Sequence, residues 1–248
     1  MAGSCWWEGA DEIVEDPLLI DFLKVIQKRF YGEKIKKFEG EGELEDILDF
    51  LLEIGRLKGM PRLYWLIYKI KNPETVASHI FGLALMVWLF GGKGKPKCNM
   101  EKLLKMALCH EISAVYTGDT TPYGKISDKR EKKKILKKWP RLTKKEKVKR
   151  FIKDFKEEKK AFEKISSILK KSPVRKEIVR LWQEYRTKSA LEGSFLSRLN
   201  VSAVLLQALL YEKENKSFSA VPIWEWAMES ADNPVNFLLL EEMERIFY

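Results

Sequence analysis

The sequence predicts an all-α fold, and three features predict it. Four pairs, Asp16-Pro17, Asn72-Pro73, Ser172-Pro173 and Asn233-Pro234, put a capping side chain directly before a proline. Proline loses nothing at the first helical position, because its missing N–H would have no partner there. Apolar residues recur at three- and four-residue spacing, as in Val76, Ile80, Leu83, Ala84 and Val87, and again in Leu196, Leu199, Ala203, Leu206 and Leu210. No stretch alternates polar and apolar residues between hairpin turns, as paired strands would require.

Helices are expected in order at 17–31, 43–56, 60–70, 73–91, 99–115, 128–138, 143–171, 173–186, 189–215 and 221–247, the last broken near Asn233. Those at 17, 73, 173 and 234 open on the proline pairs. The helix at 189 opens on Ser189-Ala190-Leu191-Glu192, which fits a capping box. Gly91-Gly92-Lys93-Gly94-Lys95-Pro96 reads as a turn. No internal repeat or interdomain linker is evident, so one domain is expected.

Composition bounds the function. The chain has 248 residues, 45% of them hydrophobic, which suffices for a substantial core. Its three cysteines, Cys5, Cys98 and Cys109, form no Cys-x-x-Cys pair. A disulfide framework or thiolate zinc site is not expected, and a reducing compartment is. The opening MAGSCWWEGADEIVEDP lacks a basic, then apolar, signal pattern. The longest apolar run, Ile80 to Phe90, falls short of the roughly 20 residues of a membrane span. A cytoplasmic protein with no membrane partner is the expectation.

The net charge of +10 is concentrated: residues 125–160 hold 18 Lys/Arg against 6 Asp/Glu. This segment reads either as a surface that attracts phosphate or nucleic acid, or as a solvated lysine-rich helix pair. Trp139, Phe151 and Phe155 interleave with its lysines. Basic and aromatic residues together can bind single strands, but the Phe151/Phe155 spacing equally fits a buried helix face.

The only histidines, His79 and His110, sit in apolar helical stretches, and Glu111 adjoins the second. They read as core histidines or as ligands for a metal that accepts imidazole and carboxylate. Arg62 could grip a phosphate or pair with a surface carboxylate.

Five ordered segments resemble the HD-domain superfamily, specifically its 5'-deoxynucleotidase-like metal-dependent phosphohydrolases. Asn72-Pro73-Glu74-Thr75-Val76-Ala77-Ser78-His79 resembles the segment that opens the family's HD domain. Met60-Pro61-Arg62-Leu63-Tyr64-Trp65 is similar to the element upstream of it. Ala107-Leu108-Cys109-His110-Glu111 with Tyr116-Thr117-Gly118-Asp119 resembles the paired HD and Gly-Asp motifs. Leu181-Trp182-Gln183-Glu184-Tyr185, and Arg198-Leu199-Asn200 through Gln207-Ala208-Leu209-Leu210-Tyr211-Glu212, resemble two later segments.

The resemblance implies an HD-type helical domain over 55–215, with a basic helical insertion at about 125–160. N-terminal helices in 1–54 would pack on its core, and 216–248 would form a C-terminal helical extension. It implies one divalent metal, with Mn, Co, Ni, Zn, Fe and Mg all open, held at the positions of His79, His110, Glu111 and Asn200. Metal-activated water would attack the phosphorus of a (deoxy)nucleoside 5'-monophosphate. Asp119 and Glu111 are placed in catalysis, and Arg62, Trp65 and Asp119 in substrate binding. A homodimer is implied by family habit, and nucleic acid is a further partner through 125–160.

Three positions depart from the family pattern. Glu111 stands where Asp is usual and adds one methylene of reach. Asn200 replaces an anionic ligand by a neutral amide, a weaker partner for a dication. Ala114 stands at the place of a catalytic Glu, and a methyl group moves no proton. Two readings follow: a phosphohydrolase with a weakened site, or a catalytically inactive HD-fold protein that binds nucleotide or nucleic acid.

Overall fold

The computed structural model describes residues 41–93, 97–121, 143–170 and 172–248. The helices expected at 17–31 and 128–138, Trp139, and much of the 125–160 segment lie outside the described residues. The chain divides into two compact units, Met1–Leu44 and Glu45–Tyr248. The second carries every residue discussed below.

The regular elements among the described residues are helices joined by turns and loops, with an isolated antiparallel bridge between Pro61 and Thr75. The helices are α1 (Glu41–Gly55), α2 (Leu63–Ile67), α3 (Val76–Phe90), α4 (Met100–Cys109), α5 (Ala114–Thr117), α6 (Lys144–Ser166), α7 (Val174–Thr187), α8 (Leu191–Glu214), α9 (Val221–Ser230) and α10 (Pro234–Phe247). Short 3₁₀ turns occupy Arg56–Gly59 and Gly91–Lys93.

Two helix starts differ from expectation. Asn72-Pro73 opens no helix: Thr75 is the cap of α3, in a reciprocal box with Ser78. Residues 74–76 instead pair with 60–62, where the Val76 N–H donates to the Met60 carbonyl (2.8 Å) and the Arg62 N–H to that of Glu74 (2.9 Å). Ser189 forms no capping box. The N-cap of α8 is Ala190, and Glu192 turns away to accept from the Asn99 N–H (3.0 Å) and to pair with Lys102 (3.0 Å). A carboxylate shared with a lysine and a distant backbone donor gains more than one reaching back along its own chain.

The single helix expected at 99–115 is also interrupted. α4 ends at Cys109, and the chain turns through His110–Ser113 before α5 begins. Gly118, at φ +72°, ends α5 in a conformation that glycine adopts without steric cost.

Helix α8 is the spine. It packs against α3, α4, α7, α9 and α10. A helix apolar on all sides must be surrounded, and its two halves enter two different apolar clusters. Phe195, Leu196 and Leu199 join a cluster with α3, α4, α6 and α7. Val204, Leu205, Ala208 and Leu209 join one with α2, α9 and α10. Gly193 lets α8 approach α7, since a Cβ there would lie 2.4 Å from the Glu184 carbonyl oxygen. By length and composition alone, Val76–Lys93 and Leu191–Glu214 could each cross a membrane. Core packing accounts for the apolarity of most of α8, whereas α3 buries one face and leaves Phe81, Trp88 and Leu89 exposed.

Candidate functional site

Asn200 sits on α8 between the residues that enter the two clusters, and the candidate site is built around this seam. His79 comes from the first turn of α3, which the Thr75 cap fixes. His110 and Glu111 come from the break after α4, Arg62 from the N-terminus of α2, and Asp119 from the turn after α5.

The two imidazoles are buried, with ring centroids 5.6 Å apart. Nδ1 of His110 lies 2.7 Å from the Ala107 carbonyl oxygen. A carbonyl only accepts, so Nδ1 carries the proton and Nε2 presents a lone pair. Burial pushes the His110 imidazole down to about 3, and Arg62 adds to the effect. Burial likewise holds His79 well below its ordinary value, with Arg62 and His110 reinforcing it. Both rings are therefore neutral near pH 7. Nε2 of His79, Nε2 of His110 and Oδ1 of Asn200 are all buried without a hydrogen-bond partner. The amide of Asn200 is oriented by its other end, where Nδ2 donates to the Tyr185 hydroxyl (3.2 Å).

Opposite these acceptors stands a buried cation. Arg62 places Nε 3.3 Å from Oδ2 of Asp119 and Nη1 3.8 Å from Oε1 of Glu111. Asp119 Oδ2 also accepts from the Leu63 N–H (2.6 Å), so one carboxylate oxygen fixes both the guanidinium and the start of α2. Burial raises the Asp119 carboxyl to about 6 despite Arg62. Nη1 of Arg62 is buried and has no hydrogen-bond partner. Glu111 completes the arrangement, with Oε1 3.8 Å from Nε2 of His110.

An unpartnered buried polar atom costs roughly 1–3 kcal/mol. Nε2 of His110 presents a lone pair, and the His79 ring and the Asn200 amide oxygen, which face each other, can turn theirs to the same ligand that accepts electron pairs; the guanidinium N–H fits an anion. The donors, two imidazoles and a hard amide oxygen with one carboxylate alongside, fit a divalent cation of the transition series. The fit is a reduced one. Among the described residues no three His, Cys, Asp or Glu side chains are grouped to hold a metal, so Asn200 must serve as third donor.

A cavity of about 510 Å³ opens above this cluster, within the usual range of small-molecule sites. Arg62, Trp65, Glu111, Tyr185 and Asn200 line it, whereas His79, His110 and Asp119 lie beneath its surface. Trp65 contributes a wall and little polarity, because its indole N–H donates to Oε1 of Glu74 (2.8 Å).

The fold also brings residues to the cavity that sequence reasoning did not single out. Tyr185 orients Asn200 and stacks edge-on against His110 at 5.3 Å. Glu158 and Arg150 reach in from α6, and Arg186 from α7. Glu158 and Arg186 form a two-contact ion pair (2.5 and 2.9 Å). Burial, with Glu111 and Asp154 nearby, pushes the Glu158 carboxyl up to about 7 against the pull of Arg186. In the sequence both α6 residues are hidden in a lysine-rich helix that reads as a solvated face. Tyr185 could have been found, since it ends one of the family-like segments.

Comparison with known proteins identifies the family of the fold. Residues 54–227 match the family model described as HD domain. The chain is 27% identical over 208 residues to the human protein named 5'-deoxynucleotidase HDDC2, covering 84% of this chain and 88% of that one. It is 31% identical over 177 residues to the Dictyostelium discoideum protein of the same name, covering 69% and 80%. Among solved structures, a protein from Pyrococcus horikoshii OT3 superposes with a TM-score of 0.56 at 22% identity, over 80% of this chain and 97% of that one. A predicted metal-dependent phosphohydrolase from Magnetospirillum magnetotacticum MS-1 gives 0.56 at 21% identity, over 84% and 95%. With a family model spanning most of its length and a helical fold shared with these structures, the chain belongs to the HD domain family.

Proposed function

We propose that this protein is a metal-dependent phosphohydrolase of (deoxy)nucleoside 5'-monophosphates, slower than its relatives. The observation that carries this reading is the convergence of the buried His79 and His110 rings and the buried amide oxygen of Asn200 with Nη1 of Arg62, none of these polar ends holding a good hydrogen bond among the described residues. His79, His110, Glu111 and Asn200 would hold the metal, whose chemistry is to make a bound water nucleophilic near neutral pH. Arg62 binds a phosphoryl oxygen through Nη1, with Asp119 fixing its orientation. Tyr185 keeps the Asn200 oxygen turned inward. The buried ring of Trp65 gives the cavity an apolar wall for a base or sugar. Ala114 supplies no proton transfer, and general acid–base help is worth typically about 10²–10⁴-fold.

The test is phosphate release from the deoxynucleoside monophosphates with Mn, Co, Ni, Zn, Fe or Mg supplied in turn. Turnover that disappears in His79→Ala and His110→Ala is expected. Absence of release with every metal and nucleotide would overturn the reading.

Ala114 and Asn200 favour a second reading, a nucleotide-binding protein without turnover. It predicts that the parent is inactive and that Asn200→Asp combined with Ala114→Glu creates activity. A parent already as fast as the double variant would dismiss it.

Several finer proposals accompany the first reading. The domain spans about 55–215, and the chain works in the cytoplasm. A second copy covers the outer face of α3, where Phe81, Trp88 and Leu89 are 65%, 71% and 63% exposed. The basic segment 125–160 offers a secondary contact to nucleic acid, with affinity that falls steeply with salt.

A further inference from the structure

Six cations line the cavity: Arg62, Lys147, Arg150, Arg186, Lys188 and Arg198. Four of them are matched. Arg62 has Asp119, Lys147 has Glu229 (2.5 Å), Arg186 has Glu158, and Arg198 has Asp232. The remaining two, Arg150 on α6 and Lys188 at the end of α7, make no ion pair among the described residues. Nη1 of Arg150 is also buried without a hydrogen-bond partner. Asp154, one turn further along α6, lines the same wall but forms no ion pair with Arg150 within 4 Å among the described residues.

Lys188 is placed there at a cost. It holds a left-handed backbone, φ +54° and ψ +30°, which a non-glycine residue adopts only under some strain. Its ammonium is pushed below its ordinary value by burial and by Arg198 and Arg186, against the opposing pull of Asp232. Six cations and five carboxylates (Glu111, Asp154, Glu158, Glu229 and Asp232) line the cavity, so the lining has a surplus of one positive charge, and Arg150 and Lys188 are the cations without an ion pair among the described residues. Arg62 is already committed to the floor of the cavity, so the two unmatched cations form a separate anion position on its rim.

We propose that the cavity has a second phosphate subsite, formed by Arg150 and Lys188, and that its preferred ligand is a nucleotide carrying a second phosphate group. The proposal rests on the phosphohydrolase reading for the first anchor, Arg62. Three chemistries present such a group: the β-phosphate of a nucleoside diphosphate, the 3'-phosphate of a nucleoside 3',5'-bisphosphate, and the internucleotide phosphate of a 5'-phosphorylated dinucleotide.

Calorimetric titration of the full chain with dAMP, dADP, deoxyadenosine 3',5'-bisphosphate and a 5'-phosphorylated deoxyadenosine dinucleotide at one ionic strength is the test. At least one of the three two-phosphate ligands should bind about tenfold or more tightly than dAMP, and the one that does identifies the source. Arg150→Met keeps the side-chain stem, and Lys188→Asn suits the left-handed backbone. Each should bring the ratio of two-phosphate to one-phosphate affinity toward one. Equal binding of all four ligands to the parent would overturn the subsite, and hydrolysis of dAMP would then still uphold the underlying reading. A preference for a two-phosphate ligand that depends on Arg150, in a protein that releases no phosphate, would support the subsite and overturn the hydrolase reading instead. No binding of any ligand would overturn both. A preference undiminished in both variants would place the second phosphate elsewhere and also overturn the assignment.

Discussion

Asn200 sets the charge of the donor cluster, because its neutral oxygen stands beside two neutral imidazoles and leaves Glu111 as the one anion. Hard divalent cations bind in proportion to ligand charge, so Asn200→Asp should tighten Mn or Ni binding by about tenfold or more, measured by competition with a chelator. Ala114 sits 2% exposed at the first position of α5. It belongs to the apolar core, so a carboxylate there carries a burial cost unless it finds a partner in the site. Ala114→Glu should raise kcat by about 10²-fold, with thermal denaturation run alongside to confirm folding. Glu158 gives a pH signature. Its folded carboxyl is raised from the ordinary 4.5 to about 7, so the folded chain takes up its proton first. The resulting stability is complete below about 4.5 and is lost as pH rises through 7. Relative to Glu158→Gln, the parent should therefore lose up to about 1.4 kcal/mol per pH unit across that window in urea denaturation.

At the scale of the element, α6 shows why composition misleads. Its first half is lysine-rich, yet Phe151 and Phe155 stack at 5.5 Å, Phe155 lies over Trp182 at 5.6 Å, and Phe162 stacks on the other side of the helix pair's contact at 4.6 Å from Trp182. One stripe of a charged helix thus enters the core, and it carries Arg150 and Glu158 to the cavity wall. Phe162 is fully buried, so Phe162→Ala should cost about 3–5 kcal/mol in denaturant unfolding. The break between α4 and α5 matters as much. In a continuous helix, neighbouring residues diverge by about 100°. The turn at 110–113 instead brings Oε1 of Glu111 to 3.8 Å from Nε2 of His110.

For the whole molecule, the site lies where two apolar clusters meet along α8, so packing of both halves fixes its geometry. The outer face of α3 remains exposed at Phe81, Trp88 and Leu89. Trp88→Glu is expected to shift the chain from dimer to monomer in sedimentation velocity at micromolar concentration. A parent that sediments as a monomer would remove the dimer proposal.

The sequence by itself determined the helical class and most helix positions, and it named several residues that the fold brings together at the candidate site. Periodicity, caps and motif order are local, and local chemistry is legible in one dimension. His79, His110, Glu111, Arg62 and Asn200 were all nameable because each stands in a short segment that resembles the family. Tertiary structure decided the rest. It left Asn72-Pro73 outside any helix and bridged Thr75 to Pro61, because the backbone groups of 60–62 were there to pair with 74–76. It drew Glu192 to a distant lysine, and it turned part of a lysine-rich helix into a cavity wall. It also left Arg150 and Lys188 without an ion pair among the described residues while matching their neighbours. Whether a charge is partnered depends on residues far away in the chain, and only the folded molecule brings them together.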